Sequence, residues 1–215
     1  MRIAIAGAGK VGRSIARELL SNGHEVLLID KEANPGVVEG AETLHADACE
    51  LASLESANLP QCQVMVAATG DDKVNLVVSL LAKTEYGVPR VVARVNHPKN
   101  EWMFDESWGV DVAVSTPRML SALVEEAVSV GDLVRLFSFR QGQANLVEIT
   151  LSARSPVVGK CVRDVAWPTD VALVTIVRGP RVIAPSPDDA LEIGDELLFV
   201  AAPDQEPALR TIVAD

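Results

Sequence analysis

The feature of this chain that most constrains its fold is a glycine-rich turn near the start of the sequence. The turn reads Gly7-Ala8-Gly9-Lys10-Val11-Gly12 and has the spacing GxGxxG. A β-type apolar run, Arg2–Ala6, precedes it, and a helical pattern, Lys10–Ser21, follows it. In such a strand–turn–helix the first glycine allows the tight turn, the second lets the backbone approach a pyrophosphate, and the third lets the helix pack on the strand. The sequence therefore predicts a βα unit that can hold a phosphate group.

An acidic residue stands at the end of the next predicted strand. Asp30 follows the run Val26–Ile29, about 20 residues beyond the turn, where a carboxylate accepts hydrogen bonds from ribose hydroxyls. The same carboxylate repels a 2′-phosphate, which favours NAD(H) or an adenosine nucleotide over NADP(H). Lys31 partly offsets its charge. The alternative is a glycine turn retained only for packing, in a domain that no longer binds a nucleotide.

The lysine inside the glycine turn leaves the choice of nucleotide open. The ammonium group of Lys10 can reach a phosphate, and the third phosphate of ATP gains more from that charge than a dinucleotide does. A solvated surface lysine is the alternative interpretation. We therefore expect NAD(H), with ATP or ADP as the second option.

Two later turns are expected to line the same site, because turns at the carboxyl ends of strands border the ligand crevice of an open α/β sheet. The segment Ala68–Asp72 follows the fourth predicted strand, and it offers Thr69, Gly70 and Asp71 to a ligand. Asp71 is favoured as a helix-capping residue over a metal ligand. Arg94 ends the fifth predicted strand and can bind a phosphate or pair with a carboxylate. The sequence leaves both roles of Arg94 open.

Strand and helix patterns alternate through residues 1–132 and then give way to short β-like runs. The predicted strands of the first part are Arg2–Ala6, Val26–Ile29, Thr43–His45, Val64–Ala68, Arg90–Arg94 and Asp111–Val114, and its predicted helices are Lys10–Ser21, Asp71–Glu85, Lys99–Ser107 and Pro117–Val130. The β-like runs of the second part are Val134–Phe139, Leu146–Leu151, Val171–Arg178, Arg181–Ile183 and Glu196–Ala201. This order predicts the α/β class, with a Rossmann-like doubly wound parallel sheet over residues 1–132 and a second, smaller α+β domain over residues 133–215.

Composition and charge argue against several classes of partner. The 19 Lys and Arg residues face 30 Asp and Glu residues, for a net charge of −11, which disfavours nucleic acid and anionic bilayers. No apolar run approaches the ~18–20 residues that span a membrane, and no cleavable signal pattern is visible. The three cysteines lack CxxC spacing and the three histidines are scattered, so no metal site is predicted. We expect a soluble cytosolic protein.

The residues that dehydrogenases use for proton transfer are not found in a productive pattern. Tyr86 is the only tyrosine and Arg90 lies four residues beyond it, so there is no Tyr-x-x-x-Lys pair. His97 precedes a proline at a strand exit and is interpreted as a loop residue. The second domain contains neither histidine nor tyrosine. We therefore expect no catalysis, and a small NAD-dependent oxidoreductase is the alternative.

Several segments, taken in order, resemble a known family. They are Gly7–Gly12, Asp30, Ala46-Asp47-Ala48, Ala67–Asp72 with Asn75-Leu76, and Val92–Asn96, and in the second domain Ser155–Lys160 and Leu191–Val200. Together they resemble the TrkA/KtrA-type regulators of potassium transport, whose two domains are called RCK (or KTN) domains. The resemblance covers nearly the whole chain.

The resemblance implies a cytosolic regulatory subunit that binds NAD(H) or ATP/ADP and gates a membrane potassium-translocating subunit. It places the phosphates on the glycine turn, the ribose on Asp30 and the adenine beside Asp47 and Ala48, with Thr69, Gly70 and Arg94 lining the rest. Lys10 takes the place of a basic residue that meets a terminal phosphate in ATP-responsive relatives. One departure is Ala46, where the family usually has glycine, and the added methyl group narrows the adenine pocket.

The family assembles as dimers and rings, and the resemblance implies that this chain pairs with itself or with a sister subunit. The apolar segment Leu76–Ala82 and the run Trp102-Met103-Phe104 fit an assembly, although a core helix within one subunit also explains the first. The helix Pro117–Val130 is the candidate element for joining two subunits. An acidic cluster, Asp188, Asp189, Glu192, Asp195 and Glu196, is either a divalent-cation site or, as we favour, a solvated face.

Overall fold

The computed structural model describes residues 1–33, 36–128, 130–139 and 144–214, with only the backbone of residues 126 and 127. Packing divides the chain into two compact units, Met1–Pro117 and Arg118–Asp215. The division falls just inside the helix that the sequence predicts over Pro117–Val130. The domain boundary between residues 132 and 133 stays a prediction.

The N-terminal unit is a six-stranded sheet in which every pair of neighbouring strands is parallel. Its elements are β1 Arg2–Ala6, α1 Lys10–Ser21, β2 Glu25–Asp30, β3 Glu42–His45, α2 Leu51–Ser56, β4 Val64–Ala67, α3 Asp72–Thr84, β5 Arg90–Val95 and β6 Val112–Ser115. The strand order is β3-β2-β1-β4-β5-β6, so the chain moves outward from β1 and then returns to the other side of it. The predicted Rossmann-like fold class is confirmed, and the reversal between β1 and β4 opens a crevice at the carboxyl ends of the strands.

Alternating side chains of the central strand explain why this sheet is covered on both faces. Ile3 and Ile5 of β1 belong to an apolar cluster with Ala16 of α1. Ala4 and Ala6 point to the opposite face and join a cluster with residues of α2 and α3. Both clusters are fully buried along β1, which is typical of a parallel sheet between two layers of helices.

The predicted helix over Lys99–Ser107 is wrong. The chain forms two short 3-10 segments there, Pro98–Met103 and Glu106–Trp108. Asp105 interrupts them because its carboxylate accepts the backbone N–H of Ser107 at 2.9 Å and so caps a new turn. Gly109 then ends that turn with a φ of 71°.

The large apolar groups near this segment are distributed within the N-terminal unit. Phe104 is buried, Met103 is half-buried, and Trp102 is 77% exposed. The apolar segment Leu76–Ala82 belongs to α3, where Leu76, Val78 and Ala82 are buried in the core cluster. A core helix within one subunit therefore accounts for most of that segment.

The C-terminal unit contains a five-stranded sheet in which every pair of neighbouring strands is antiparallel. The elements are α4 Thr116–Val128, β7 Val134–Ser138, β8 Asn145–Thr150, β9 Val171–Arg178, β10 Arg181–Ile183, β11 Glu196–Ala201 and α5 Glu206–Val213, and the strand order is β10-β9-β11-β8-β7. The helix predicted over Pro117–Val130 corresponds to α4, and Ser129 of that prediction lies outside the described residues. The core of this unit joins Phe199 and Ile149 of the sheet to Leu209 of α5.

The acidic cluster of the second unit is tied to arginines, so the expectation of a solvated face is wrong for its central member. Asp195 is fully buried, and both of its carboxylate oxygens accept from Arg178, at 2.7 and 2.8 Å. Arg178 also pairs with Glu192. Asp188 pairs with Arg163. The Arg178–Asp195 pair therefore joins β9 to the turn before β11, whereas Asp188 and Arg163 pair at the surface.

Candidate functional site

A cleft of about 580 Å³ lies at the carboxyl ends of the parallel strands. Every residue predicted for the nucleotide site except Gly12 lines it. These residues are Gly7, Ala8, Gly9, Lys10, Val11, Asp30, Lys31, Asp47, Ala48, Thr69, Gly70, Asp71 and Arg94. The volume is that of an ordinary small-molecule site. The structure thus brings together residues from the ends of five different strands, and their contact with a ligand stays a prediction.

The glycine turn is packed tightly against its neighbours. A Cβ atom at Gly12 would lie 1.8 Å from the carbonyl oxygen of Gly7, so Gly12 lets α1 close onto the turn and does not face the cleft. Gly7 has a φ of 98°, and a Cβ there would lie 3.0 Å from the backbone of Thr69. At Gly9 a Cβ would meet nothing within 4 Å. Only Gly9 therefore leaves open space for a ligand to approach the backbone.

Asp30 holds the glycine turn in place. Its Oδ2 accepts the backbone N–H of Ala8 at 2.5 Å, and its Oδ1 accepts that of Glu32 at 2.9 Å. A carboxylate has about four acceptor positions, so each oxygen retains room for a further hydrogen bond. Asp30 can therefore fix the turn and accept ribose hydroxyls at once.

Thr69 is held by bonds within the protein, and its contact with a ligand, through the side chain or the backbone, stays a prediction. Its backbone N–H donates to Oδ1 of Asn75 at 2.9 Å, and its Oγ1 donates to the same atom at 2.7 Å. Asp71 caps α3 as expected, since its carboxylate accepts the N–H of Lys73 at 2.8 Å. The turn after β4 is therefore a rigid wall of the cleft.

The Arg94 side chain contains a buried nitrogen in the cleft wall that no described residue satisfies with a hydrogen bond. The side chain is half-buried at the end of β5, and its Nε is buried without a hydrogen-bond partner among the described residues. Buried guanidinium nitrogens are normally paired, because desolvation without a hydrogen bond costs free energy. The arrangement fits an anionic ligand that supplies the missing acceptor.

The rim of the cleft is polar and exposed. Lys10, Lys31 and Asp47 are all exposed, and Asp47 accepts the backbone N–H of Cys49 at 2.9 Å. Burial, with help from the Asp47 carboxylate, raises the pKa of the Cys49 thiol. Cys49 is therefore uncharged at neutral pH and unsuited to act as a nucleophile. Ala46 lines the cleft beside Asp47, and the narrowing of an adenine pocket by its methyl group stays a prediction.

The sequence interpretation missed several lining residues, of which Arg13 is the most polar. Arg13 lies on α1, and its Nη1 donates to the carbonyl oxygen of Ala8 at 2.7 Å. It is three positions beyond Lys10, so the helical spacing already placed both cations on one side of α1. The other missed residues are Ile29, Glu32 and Val74. Two of them are apolar and suit contact with a flat ring.

The part of the chain that the structure describes contains neither a metal-ligand cluster nor a membrane-spanning helix. No group of three or more His, Cys, Asp or Glu side chains there is arranged to hold a metal ion. No helix there has the length and apolar character needed to cross a bilayer.

Comparison with known proteins agrees with this geometry. Residues 3–116 match the model of the TrkA-N domain, and residues 146–214 match that of the TrkA-C domain. The Trk system potassium uptake protein TrkA of Mycobacterium tuberculosis strain H37Rv is 61% identical over 218 residues, which cover 99% of this chain and 98% of that protein. A TrkA homolog of Methanothermobacter thermautotrophicus is 34% identical over 209 residues, 95% of each chain.

A solved structure shares the fold. The GsuK channel bound to NAD has a TM-score of 0.70 and 17% identity, and the match covers all of this chain and 39% of the channel chain. The same family is indicated by the two family models, by the two relatives and by the architecture of both units. This agreement confirms the resemblance seen in the sequence. The chain belongs to the TrkA family.

Proposed function

We propose that this chain is a regulatory subunit of a Trk-type potassium uptake system that binds an adenine nucleotide in the cleft and uses it as a signal. The observation that carries the proposal is that Arg94 lines the same cleft as the glycine turn and Asp30, and that its Nε is buried without a partner among the described residues. A phosphate would supply the acceptor that Arg94 lacks. A protein named for Trk-type potassium uptake is 61% identical to this chain over nearly its whole length. This identity supports potassium uptake as the process in which the signal acts.

The expected ligand pose follows from the groups that the cleft presents. The first N–H groups of α1 have no acceptor within the helix and point toward anions, so the phosphates lie on the glycine turn. The ribose hydroxyls donate to Asp30, and the adenine lies beside Asp47 and Ala48. Lys10 is exposed at the rim, where it can reach an outer phosphate.

NAD(H) is the first candidate ligand, and ATP or ADP is the second. Asp30 favours a nucleotide with free ribose hydroxyls over one with a 2′-phosphate. The GsuK channel, whose structure was solved with NAD, shares the fold of this chain. Lys10 favours a triphosphate, because it adds a cation where a third phosphate would end.

We propose that the chain does not consume its nucleotide. The described residues that line the cleft include no histidine or tyrosine to donate or accept a proton beside a hydride path. The carboxylates of Asp30 and Asp71 already hold backbone N–H groups. A small NAD-dependent oxidoreductase, the alternative, would need such a proton donor near the nicotinamide.

The exposed face of α4 supports self-association. Five large apolar side chains there are 40–75% exposed: Met119, Leu120, Leu123, Val124 and Val128. Leu120, Val124 and Val128 follow each other at intervals of four, so they form a stripe along one side of the helix. A soluble chain rarely leaves such a stripe uncovered, and we propose that a second copy of the chain covers it. A sister subunit is the alternative occupant.

The proposed mechanism is a shift between two arrangements of the assembled subunits. The nucleotide bridges the glycine turn, Asp30 and Arg94, and it stabilises whichever arrangement it fits better. Coupling energies of about 1–3 kcal/mol are typical of such switches. The assembly would act on a membrane potassium-translocating subunit from the cytoplasmic side, as a peripheral component.

Calorimetry with the purified full chain tests the proposal. We expect NADH, NAD, ATP or ADP to bind with micromolar affinity, and we expect the absorbance of NADH at 340 nm to stay constant in its presence. Failure of all four compounds to bind would overturn the proposal. Steady oxidation of NADH with a metabolite would support the oxidoreductase instead.

A further inference from the structure

One buried amide side chain connects the two turns that form a wall of the cleft. Asn75 lies on the first turn of α3 and is fully buried. Its Oδ1 accepts the N–H and the Oγ1 hydroxyl of Thr69, and its Nδ2 donates to the carbonyl oxygens of Thr69 and Arg94, at 3.2 and 2.9 Å. An amide offers two donor hydrogens and two acceptor positions, so all four are used.

The partners of Asn75 are Thr69, two residues beyond β4, and Arg94, the next-to-last residue of β5. These strands are neighbours in the sheet, with Ala67 opposite Ala93. Beyond this register Nδ2 of Asn75 joins the carbonyl oxygens of Thr69 and Arg94, and Nδ2 of Asn96 adds a second bond to Thr69 at 3.0 Å. All of the bonds of the Asn75 side chain go to cleft-lining residues, although it projects from a core helix.

A second buried side chain fixes the chain just after Arg94. The carboxylate of Asp72 accepts the backbone N–H groups of Asn96 and His97 at 2.6 and 3.0 Å, and it also accepts the side-chain amide of Asn100 at 2.8 Å. Burial raises the pKa of Asp72, but these hydrogen bonds outweigh it and hold the pKa below the usual value. Two side chains of α3 therefore hold this segment, Asn75 at Arg94 itself and Asp72 at the two residues from Asn96 onward.

We infer that Asn75 is a positioning residue for the nucleotide phosphates, an inference that rests on the proposed function. Asn75 fixes the main chain of Arg94, and this determines where the guanidinium group begins and which part of the cleft it reaches. The Nε of Arg94 has no partner of its own to hold it. Without Asn75 the main chain of Arg94 would be less fixed, and the position of its guanidinium group would vary. The turn at Thr69 would lose its hydrogen bonds to the Asn75 side chain.

A double-mutant cycle tests the inference, with ADP and NADH as the calorimetric probes. Asn75→Ala and Asn75→Ser are both neutral changes, so neither alters the charge of the cleft. We expect each to weaken ADP binding about tenfold, the size of one hydrogen bond to a charged group. In an Arg94→Gln background the same changes should weaken ADP binding less than twofold, because the guanidinium group that Asn75 positions is already absent.

Ser79→Ala is the matched control. Ser79 is also fully buried on α3, and its Oγ donates to the backbone carbonyl of Asn75 at 2.7 Å without reaching the cleft. We expect this variant to lower the melting temperature and to leave ADP affinity unchanged. Thermal melts of all variants show which of them are folded at the assay temperature, and the Ala and Ser forms of Asn75 are measured in parallel.

The outcomes separate the two proposals. If the wild-type chain binds neither ADP nor NADH, the proposed function itself fails. If the wild-type chain binds and the Asn75 variants bind equally well, the inference is overturned. The inference is also overturned if the Asn75 variants lose as much ADP affinity with Gln at position 94 as with Arg. That result would show that the role of Asn75 is purely structural.

Discussion

Replacing Gly12 by alanine tests whether the glycine turn depends on packing as closely as the structure indicates. The new Cβ would lie 1.8 Å from the carbonyl oxygen of Gly7 and 3.0 Å from its carbonyl carbon. Non-bonded heavy atoms pack at about 3.5–4.0 Å, so α1 would have to move away from the turn by roughly 1.5 Å or more. Ala16, which is fully buried one turn later, would move with it.

This movement is costly because it separates the buried face of α1, which holds Gly12 and Ala16, from the sheet. Overpacking of a filled core costs about 1–3 kcal/mol, and a clash with backbone belongs at the upper end of that range. For a unit of this size we expect the melting temperature to fall by roughly 6 °C or more. Nucleotide binding should weaken as well, because the N-terminus of α1 would no longer face the phosphates. Differential scanning calorimetry and titration calorimetry measure the two effects.

Gly9→Ala is the control that separates stability from binding. Gly9 has a φ of −66°, and its Cβ would meet nothing within 4 Å. The variant should therefore be as stable as the wild type or slightly more stable, since alanine restricts the unfolded chain. It should still bind nucleotide more weakly, because the methyl group occupies the path of the phosphates. A Gly12→Ala protein that melts with the wild type would refute the packing argument.

Four further predictions concern single features. Asp30→Ala should weaken NADH binding about tenfold or more by calorimetry, through loss of hydrogen bonds to a charged group, and unchanged affinity would remove Asp30 from the site. Lys10→Ala should reduce ATP affinity more than NADH affinity, and equal losses would contradict a role at the third phosphate. Asp72 has a lowered pKa, so its contribution to stability is present at neutral pH and is lost as the pH falls below about 4. Melting curves from pH 7 to pH 3 should therefore fall less steeply for Asp72→Asn than for the wild type. The double variant Leu120→Glu with Val124→Glu should shift the chain to the monomer in light scattering, and a retained dimer would show that another surface joins the subunits.

The parts of the fold that the sequence predicts well are those with local, periodic signals. The strands β9, β10 and β11 and the helix α1 have the predicted bounds, because apolar alternation or helical spacing is interrupted sharply by Gly, Pro or Asp. Two short helices, α2 and α5, have too few residues to show a clear period. For α5 a signal was present, since Pro207 lies in its first turn and Leu209 and Val213 are spaced by four.

The features that the sequence could not show depend on distant partners. Arg178 and Asp195 are 17 positions apart, and only the pairing of β9 with β11 makes a buried ion pair of them. In the cleft, Asp30 and Thr69 were predicted as ligand contacts, but the sequence does not reveal that Ala8 and Asn75 already bond to them. Spacing along the chain identifies which residues meet at a sheet edge, but it does not show which of their atoms remain free.

The distribution of charge explains why the unpartnered atoms matter most. The chain carries a net charge of −11, so its long-range field repels a nucleotide. Attraction must therefore come from groups within a few ångströms, where screening by salt is weak. Asp30 and Asp71 hold backbone N–H groups, and Asp30 keeps acceptor positions only for ribose hydroxyls, so the groups that can attract the phosphates are the cations and the N-terminus of α1. Of these, Arg94 has an Nε that is buried without an acceptor among the described residues, and on the proposed function a phosphate that reached it would offset that desolvation cost. A nucleotide would then favour the conformation that brings Arg94 to its phosphate, and that preference would be the differential affinity that a regulatory ligand needs.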